Sequence, residues 1–369
     1  MPKYSKSKSS QVQGFLVYTV YMNPPRYSSF LFFFALFLLP YQIASSPVFN
    51  VEDLPVETIL IEKVEEPNTI LFLGDIMLGR YVEKKMEQYG DEYSFQKIQS
   101  FLASSAYVVA NLEGPIPVIH VPTPSQKFQF SFKARVAPLL SRMNISALSL
   151  ANNHGDDWGK DGWLNTKKVL NSSSIKTFGY SQTTIDDIYE ISIDGKTVVV
   201  FGINMVVDRW DSEKAIEVTK QVRALHPEAY LIAFLHWGNE YTHNQNKYQI
   251  DFAHSLIDNG VSAVLGTHPH VIQGIEVYKE KLIFYSLGNF IFDQYFSQDV
   301  QDGYVVKMKN INNQIIFELI PYVSEVSQPK VADEVNKKRI LEYLADISSE
   351  ALRDTIRKGI IETIKYNSN

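Results

Sequence analysis

The sequence predicts an α/β protein in which a mixed sheet system carries helices on its faces. Three observations point there: short β-branched or aliphatic runs alternate with helix-like spacers from Thr69 onward, the last two runs lie close enough for a hairpin, and metal-type polar residues fall where runs end. In chain order the runs are TILFLG (69–74), AYVVANL (106–112), ISALSLA (145–151), KTVVVFGI (196–203), AYLIAFLH (229–236), VSAVLG (261–266) and KLIFYSLGNF (281–290). GYVVKMK (303–309) and QIIFELI (314–320) follow as the expected hairpin. After Pro321 the chain turns polar, and Ile340, Tyr343, Leu344 and Ile347 sit at helical spacing within 336–364. We therefore expect a folded domain over 69–325 and a helical packing segment over 326–369.

Ahead of the domain lies an address. Phe30 to Leu39 is an unbroken apolar run, preceded by Lys3, Lys6, Lys8 and Arg26 and followed by Tyr41 to Ser46, the order of a secretory signal. A spanning helix wants about 20 apolar residues, a length reached only by counting through Pro40 to Ala44, so a cleaved signal and a retained anchor both fit residues 1–46. The basic side precedes the run, which sends everything after it outward and makes the domain extracytoplasmic, secreted or membrane-anchored. Met22 opens a signal of ordinary proportions and competes with Met1 as the true start. Residues 47–68, with Glu52, Asp53, Glu57, Glu62, Glu65 and Glu66, read as an acidic linker.

Composition narrows the chemistry. The 369 residues are 45% hydrophobic and 13% aromatic, enough for one large core or two ordinary ones, which excludes a mainly disordered chain. A net charge of -6 without a dense Lys/Arg stripe gives no electrostatic footprint for nucleic acid. With no cysteine, a disulfide framework and a thiolate metal site are both excluded, so any metal must be held by His, Asp, Glu and Asn.

Those types recur at the ends of five runs: Asp75, Asn111 with Glu113, Asn152 to His154, His236, and His268 with His270. In open α/β sheets ligands sit outside the carboxyl ends of the strands, so five strands would deliver these groups to one rim. Taken singly, each has a bland reading: a turn at Gly74-Asp75, a solvated loop at Glu113, a helix cap at Asn152, a core histidine at His236. His268-Pro269-His270 is harder to dismiss, because two imidazoles one residue apart can each present a nitrogen to the same ion.

In series, GDIMLGR (74–80), NLEGPI (111–116), SLANNHGDDWGKDG (149–162), HWGNEY (236–241), GTHPHVIQGIE (266–276) and FYSLGNFIFDQ (284–294) resemble the motifs of the CapA, or poly-gamma-glutamate capsule-synthesis, family. That family is placed in the calcineurin-like metallophosphoesterase superfamily. The resemblance implies a sandwich of two mixed sheets flanked by helices, with a two-metal site at the strand ends. It assigns Asp75, Glu113, Asn153, His236, His268 and His270 as metal ligands and His154 as the proton donor facing the substrate. Arg80 and Lys133 are candidates for holding an anionic substrate. Asp157 and Gly159 follow the histidine motif, where a turn role competes with chemistry. Trp237 and Glu240 are expected in the pocket wall, with contact to an ion conceivable for Glu240, and Asn289 and Asp293 are placed to orient histidines. His120, His226, His243 and His254 match no motif and read as structural or surface.

Two divalent ions about 3.5–4 Å apart lower the pKa of water toward about 7 and clamp attacking and leaving oxygens. The mixed nitrogen and oxygen set does not choose among Mn, Fe, Zn and Mg. One departure matters: where the superfamily has a histidine two residues after the first aspartate, this chain has Met77. The first site then keeps Asp75, Glu113 and His270, and the second keeps Glu113, Asn153, His236 and His268, so one tight ion and one weak or absent ion are expected. The functional expectation is a hydrolase-like protein of capsule synthesis, export or anchoring that acts on a polyanionic cell-surface polymer or a phosphoester. The alternatives are a non-catalytic, membrane-tethered accessory of an export complex and a phosphoesterase on another substrate.

Overall fold

The computed structural model describes residues 10–12, 15–17, 68–122, 129–180, 187–206 and 212–362. The signal or anchor segment and the acidic linker, save Asn68 and the two short strands that follow, lie outside them. β1 (Ser10–Val12) and β2 (Phe15–Val17) form a small antiparallel pair by themselves. No helix among the described residues is long and apolar enough to cross a membrane.

The residues from 66 onward form a second unit. Its first half carries β3 (Thr69–Ile76), α1 (Arg80–Tyr89), α2 (Gln99–Leu102), β4 (Tyr107–Leu112), α3 (Val136–Arg142), β5 (Ala147–Ser149), α4 (Gly159–Ser172), β6 (Lys176–Phe178), β7 (Ile188–Ile193), β8 (Lys196–Asn204) and α5 (Ser212–Leu225). β9 (Tyr230–His236), α6 (Lys247–Asp258), β10 (Ala263–Thr267), β11 (Ile272–Tyr278), β12 (Lys281–Leu287), β13 (Asn289–Ile291), β14 (Asp302–Ile311), β15 (Gln314–Glu325), β16 (Gln328–Val331), α7 (Glu334–Asp346), α8 (Arg353–Lys358) and β17 (Ile360–Glu362) complete it. Every run expected as a strand is one.

Two mixed sheets result. One runs β16-β15-β14-β3-β4-β5-β6, with β13 added to β3 and β17 to β15; the other runs β11-β12-β10-β9-β8-β7. The centres, β3-β4-β5-β6 and β8-β9-β10-β12, are parallel. Parallel strands are covered on both faces, which is why β3 and β10 read as unbroken apolar stretches. Between the sheets, Phe72, Val109 and Val306 meet Val200, Phe234 and Leu265, with Ile340 and Leu344 of α7 and Ile356 of α8 packed into the same core. The outer face of the larger sheet is covered by Val82 and Met86 of α1, Leu140 of α3 and Leu170 of α4. Val222 of α5 and Leu256 of α6 cover the outer face of the smaller one.

The expected hairpin is β14-β15, closed by Asn312 and Asn313 at φ 51° and 62°. Two consecutive positive φ values fit the twist of antiparallel strands, and asparagine tolerates them. The carboxy-terminal segment departs from a purely helical reading. β16 and β17 extend the larger sheet, and Gly359, left-handed at φ 74°, ends α8 before a strand that pairs with β15.

One close approach sets the site. The first half of β3 pairs with β14, whereas its last residues pair with β13, aligning Asp75 with Asn289. Gly74 permits this, because a Cβ there would lie 1.8 Å from the carbonyl oxygen of Gly288. Gly74→Ala is expected to cost about 3 kcal/mol or more, read as a lowered denaturation midpoint at unchanged slope. A wild-type midpoint would show that the two strands separate at no cost.

Candidate metal centre

Five of the parallel strands end at one place. Asp75 is the penultimate residue of β3, Glu113 follows β4, Asn153 follows β5, His236 closes β9, and His268 and His270 follow β10. Asp75, Glu113, His236, His268 and His270 are all buried.

A chain of hydrogen bonds fixes them. Asn111 Nδ2 donates to Asp75 Oδ1 at 2.7 Å, while its Oδ1 accepts from Asn152 Nδ2 at 2.9 Å. The backbone N–H of His268 donates to Asp75 Oδ2 at 3.1 Å, joining the two sheets. His236 Nδ1 lies 3.0 Å from Thr267 Oγ1, whose own proton goes to the Leu235 carbonyl, so this oxygen can accept from Nδ1. That tautomer directs the Nε2 lone pair toward Asn153 Oδ1 at 2.8 Å and His268 Nδ1 at 3.1 Å.

In that tautomer Nε2 and the Asn153 amide oxygen are two acceptors 2.8 Å apart, which repel unless positive charge lies beside them. A proton is a poor occupant: burial, then the charge of neighbouring imidazoles, holds His236 well below its ordinary range and pushes His268 down to about 3. Neutral imidazoles beside an amide oxygen fit a metal ion.

The second cluster is more acidic. Asp75, Glu113 and His270 bring one ligand atom each within 4.8 Å of one another. Burial raises Glu113 well above the carboxylate range, with His270 opposing and Asp75 reinforcing the shift. Burial alone would lower His270, but Glu113 and Asp75 more than offset it and raise it to about 9. Among the described residues Oε2 of Glu113 is buried without a hydrogen-bond partner, so the pocket fits a cation here too. Asn289 Oδ1 lies 2.9 Å from His270 Nδ1, and the Asn289 amide is oriented by donating to Gln294 Oε1 and the Val300 carbonyl. The Nδ1 proton therefore goes to Asn289, and Nε2 faces Glu113 at 3.7 Å. Asn289→Ala is expected to weaken the ion at Asp75, Glu113 and His270 by roughly ten- to a hundredfold. Titration calorimetry with Mn(II) checks this, and wild-type affinity would remove the orienting role.

Backbone strain gathers here. His268 and His270 have φ 94° and 59°, Arg80 50° and Tyr241 59°, values that non-glycine residues rarely adopt. His154 stands beside the cluster, its Nδ1 2.9 Å from Asp157 Oδ2 and its ring 4.0 Å from that of Phe130. Asp157 also accepts from the Phe130 N–H, so it orients the histidine and the wall together. Arg80 is engaged by Asp293 through Nε and Nη2 and lies over the rings of Phe130 and Phe292, at 5.0 and 5.5 Å. Asp293 thus anchors an arginine rather than a histidine.

The Lys133 ammonium pairs with Glu83 and Glu87 of α1, and Glu83 also takes His120. Among the described residues these carboxylates are its partners, and they already satisfy its charge. His226, His243 and His254 pair with Glu190, Asp299 and Glu276, as expected of structural or surface histidines. Three features were not read from the sequence: the Asn111–Asn152 amide bridge, Thr267 behind His236, and Phe130 with Phe292 as the aromatic wall. The strand-end position of Asn111 and Asn152 was the available signal for the first.

Fold and site together define a two-sheet α/β protein with a buried carboxylate, amide and imidazole cluster suited to divalent cations. The chain belongs to the bacterial capsule synthesis protein family PGA_cap, whose model matches residues 69–294. It is 30% identical over 299 residues to the PGA biosynthesis protein CapA of Bacillus subtilis (strain 168), covering 76% of this chain and 78% of that one. With the capsule biosynthesis protein CapA of Bacillus anthracis it shares 28% over 309 residues, 78% of this chain and 75% of that one. A probable polyglutamine synthesis accessory protein of Mycobacterium tuberculosis is 25% identical over 180 residues, 42% of this chain and 47% of its own length.

Proposed function

We propose that this chain is an extracytoplasmic, metal-dependent, hydrolase-like protein of poly-gamma-glutamate capsule synthesis, export or anchoring, delivered outward by its amino-terminal segment. Its substrate would be a phosphoester or an amide-like bond in a polyanionic cell-surface polymer, reached beside a membrane synthesis or export complex. The observation that carries this reading is the meeting of Asp75, Glu113, Asn153, His236, His268 and His270 at one rim. The names of the two Bacillus relatives support the capsule part.

In this reading Glu113, Asn153, His236 and His268 hold a tight ion, and Asp75, Glu113 and His270 a weaker one. When bound, such ions supply positive charge and an activated water. His154 gives a proton from Nε2 to the leaving group while Asp157 keeps Nδ1 in place. Arg80, held in place by Asp293, offers the rest of its donor fork to an anionic group.

A second reading, a non-catalytic accessory that grips a polyanion, is favoured by one observation. Met77 is fully buried and its sulfur accepts from the Gly79 N–H at 3.1 Å, so it lends nothing to an ion. Elemental analysis of the dialysed protein, with a turnover screen on phosphodiesters and gamma-linked glutamate oligomers, separates the two. A retained ion with turnover supports the hydrolase, a retained ion without turnover the accessory, and no retained ion overturns both.

A further inference from the structure

Glu240 lies four residues beyond His236, in the turn that leaves β9. The turn is fastened on both sides of it to the histidine loop: Trp237 N–H donates to the Thr267 carbonyl at 3.1 Å, and Tyr241 N–H to the Pro269 carbonyl at 2.8 Å. Gly238 at φ 85° and Tyr241 at φ 59° set its course. A carboxylate oxygen of Glu240 and one ring nitrogen each of His268 and His270 lie within 4.8 Å of one another. The imidazoles are buried whereas Glu240 is exposed, so its carboxylate approaches from the solvent side.

On the inner side the ligands run short. The pocket of Asp75, Glu113 and His270 has three protein ligands, and Met77 is turned into the apolar core with its sulfur already engaged. A hard divalent ion prefers carboxylate to thioether in any case. We propose that Glu240 is the fourth protein ligand of the weaker ion, closing from outside the coordination that Met77 leaves open, so that occupancy of this position is set by Glu240. This rests on the metal reading above. It also gives the asymmetry a cause: the tight ion is held wholly by groups fixed in the rim, the weak one in part by a side chain that must fold in from water.

The test uses the full chain and Mn(II) alone, with stoichiometry and affinity from equilibrium dialysis and elemental analysis. Glu240→Gln keeps the shape of an exposed side chain and removes its charge. It should bind the first ion as the wild type does and the second on the order of ten- to a hundredfold more weakly. A wild type that takes two ions while Glu240→Gln takes both unchanged overturns the role of Glu240 and leaves the metal reading standing. A wild type that never takes a second ion also overturns it, and one that takes none removes the metal reading as well.

Discussion

Replacing Glu113 with glutamine is expected to strip the protein of both ions at once while leaving its fold in place. Glu113 is the one side chain in both proposed ligand sets, and its Oε2 is buried with no hydrogen-bond partner among the described residues. An amide has the same shape and no charge. The apoprotein should tolerate it, because burial already favours the neutral acid at this position. An ion present at a hundredfold its dissociation constant stabilises the wild type by about 2.7 kcal/mol, and Glu113→Gln should show no such gain. Thermal melts with and without Mn(II) read the difference, and a wild-type rise in the variant would remove the shared-ligand role. Asp75→Asn, by contrast, touches one ligand set.

His154→Ala is expected to lower turnover by about 10²- to 10⁴-fold with both ions still bound. The histidine is held by Asp157 and stacked on Phe130, and it is in neither ligand set, so metal content should stay at the wild-type level. Asp157→Asn should fall between, since the histidine would remain but lose the carboxylate that fixes its ring. Undiminished turnover in His154→Ala would end its assignment as proton donor. Should the wild type turn nothing over, capsule formation in the organism decides instead: an accessory survives His154→Ala and fails with Glu113→Gln.

Much of this was legible in the sequence, for physical reasons. Central parallel strands such as β3 and β10 are buried on both faces and must be apolar throughout, so they stand out as runs. The candidate ligands stood out because each interrupts the polarity pattern where its run stops. Less was legible wherever a partner distant in the chain decides the outcome. Among the described residues β7 is half-exposed and pairs only with β8, so Ile188 to Ile193 lacks the apolar run that marks a central strand. Lys133 follows an aromatic run near the first motif, yet Glu83 and Glu87 of α1 capture it, a pairing no local pattern reveals. The helical spacing past Ile356 continues in the sequence, but Gly359 in the left-handed conformation cuts the helix and turns Ile360 to Glu362 into a sheet edge. Asp157 serves His154 only because the turn between them brings position +3 back to the ring.

The proposed ligand set is divided between the two layers of the sandwich. Asp75, Glu113 and Asn153 are carried by the β3-β4-β5 layer, and His236, His268 and His270 by the β9-β10 layer. An ion bound across that seam acts as a rivet: neither layer can slide or peel until it is released. A chelator should therefore quicken unfolding itself, and not merely shift its equilibrium, so that the lifetime of the folded protein becomes a matter of how slowly the metal departs.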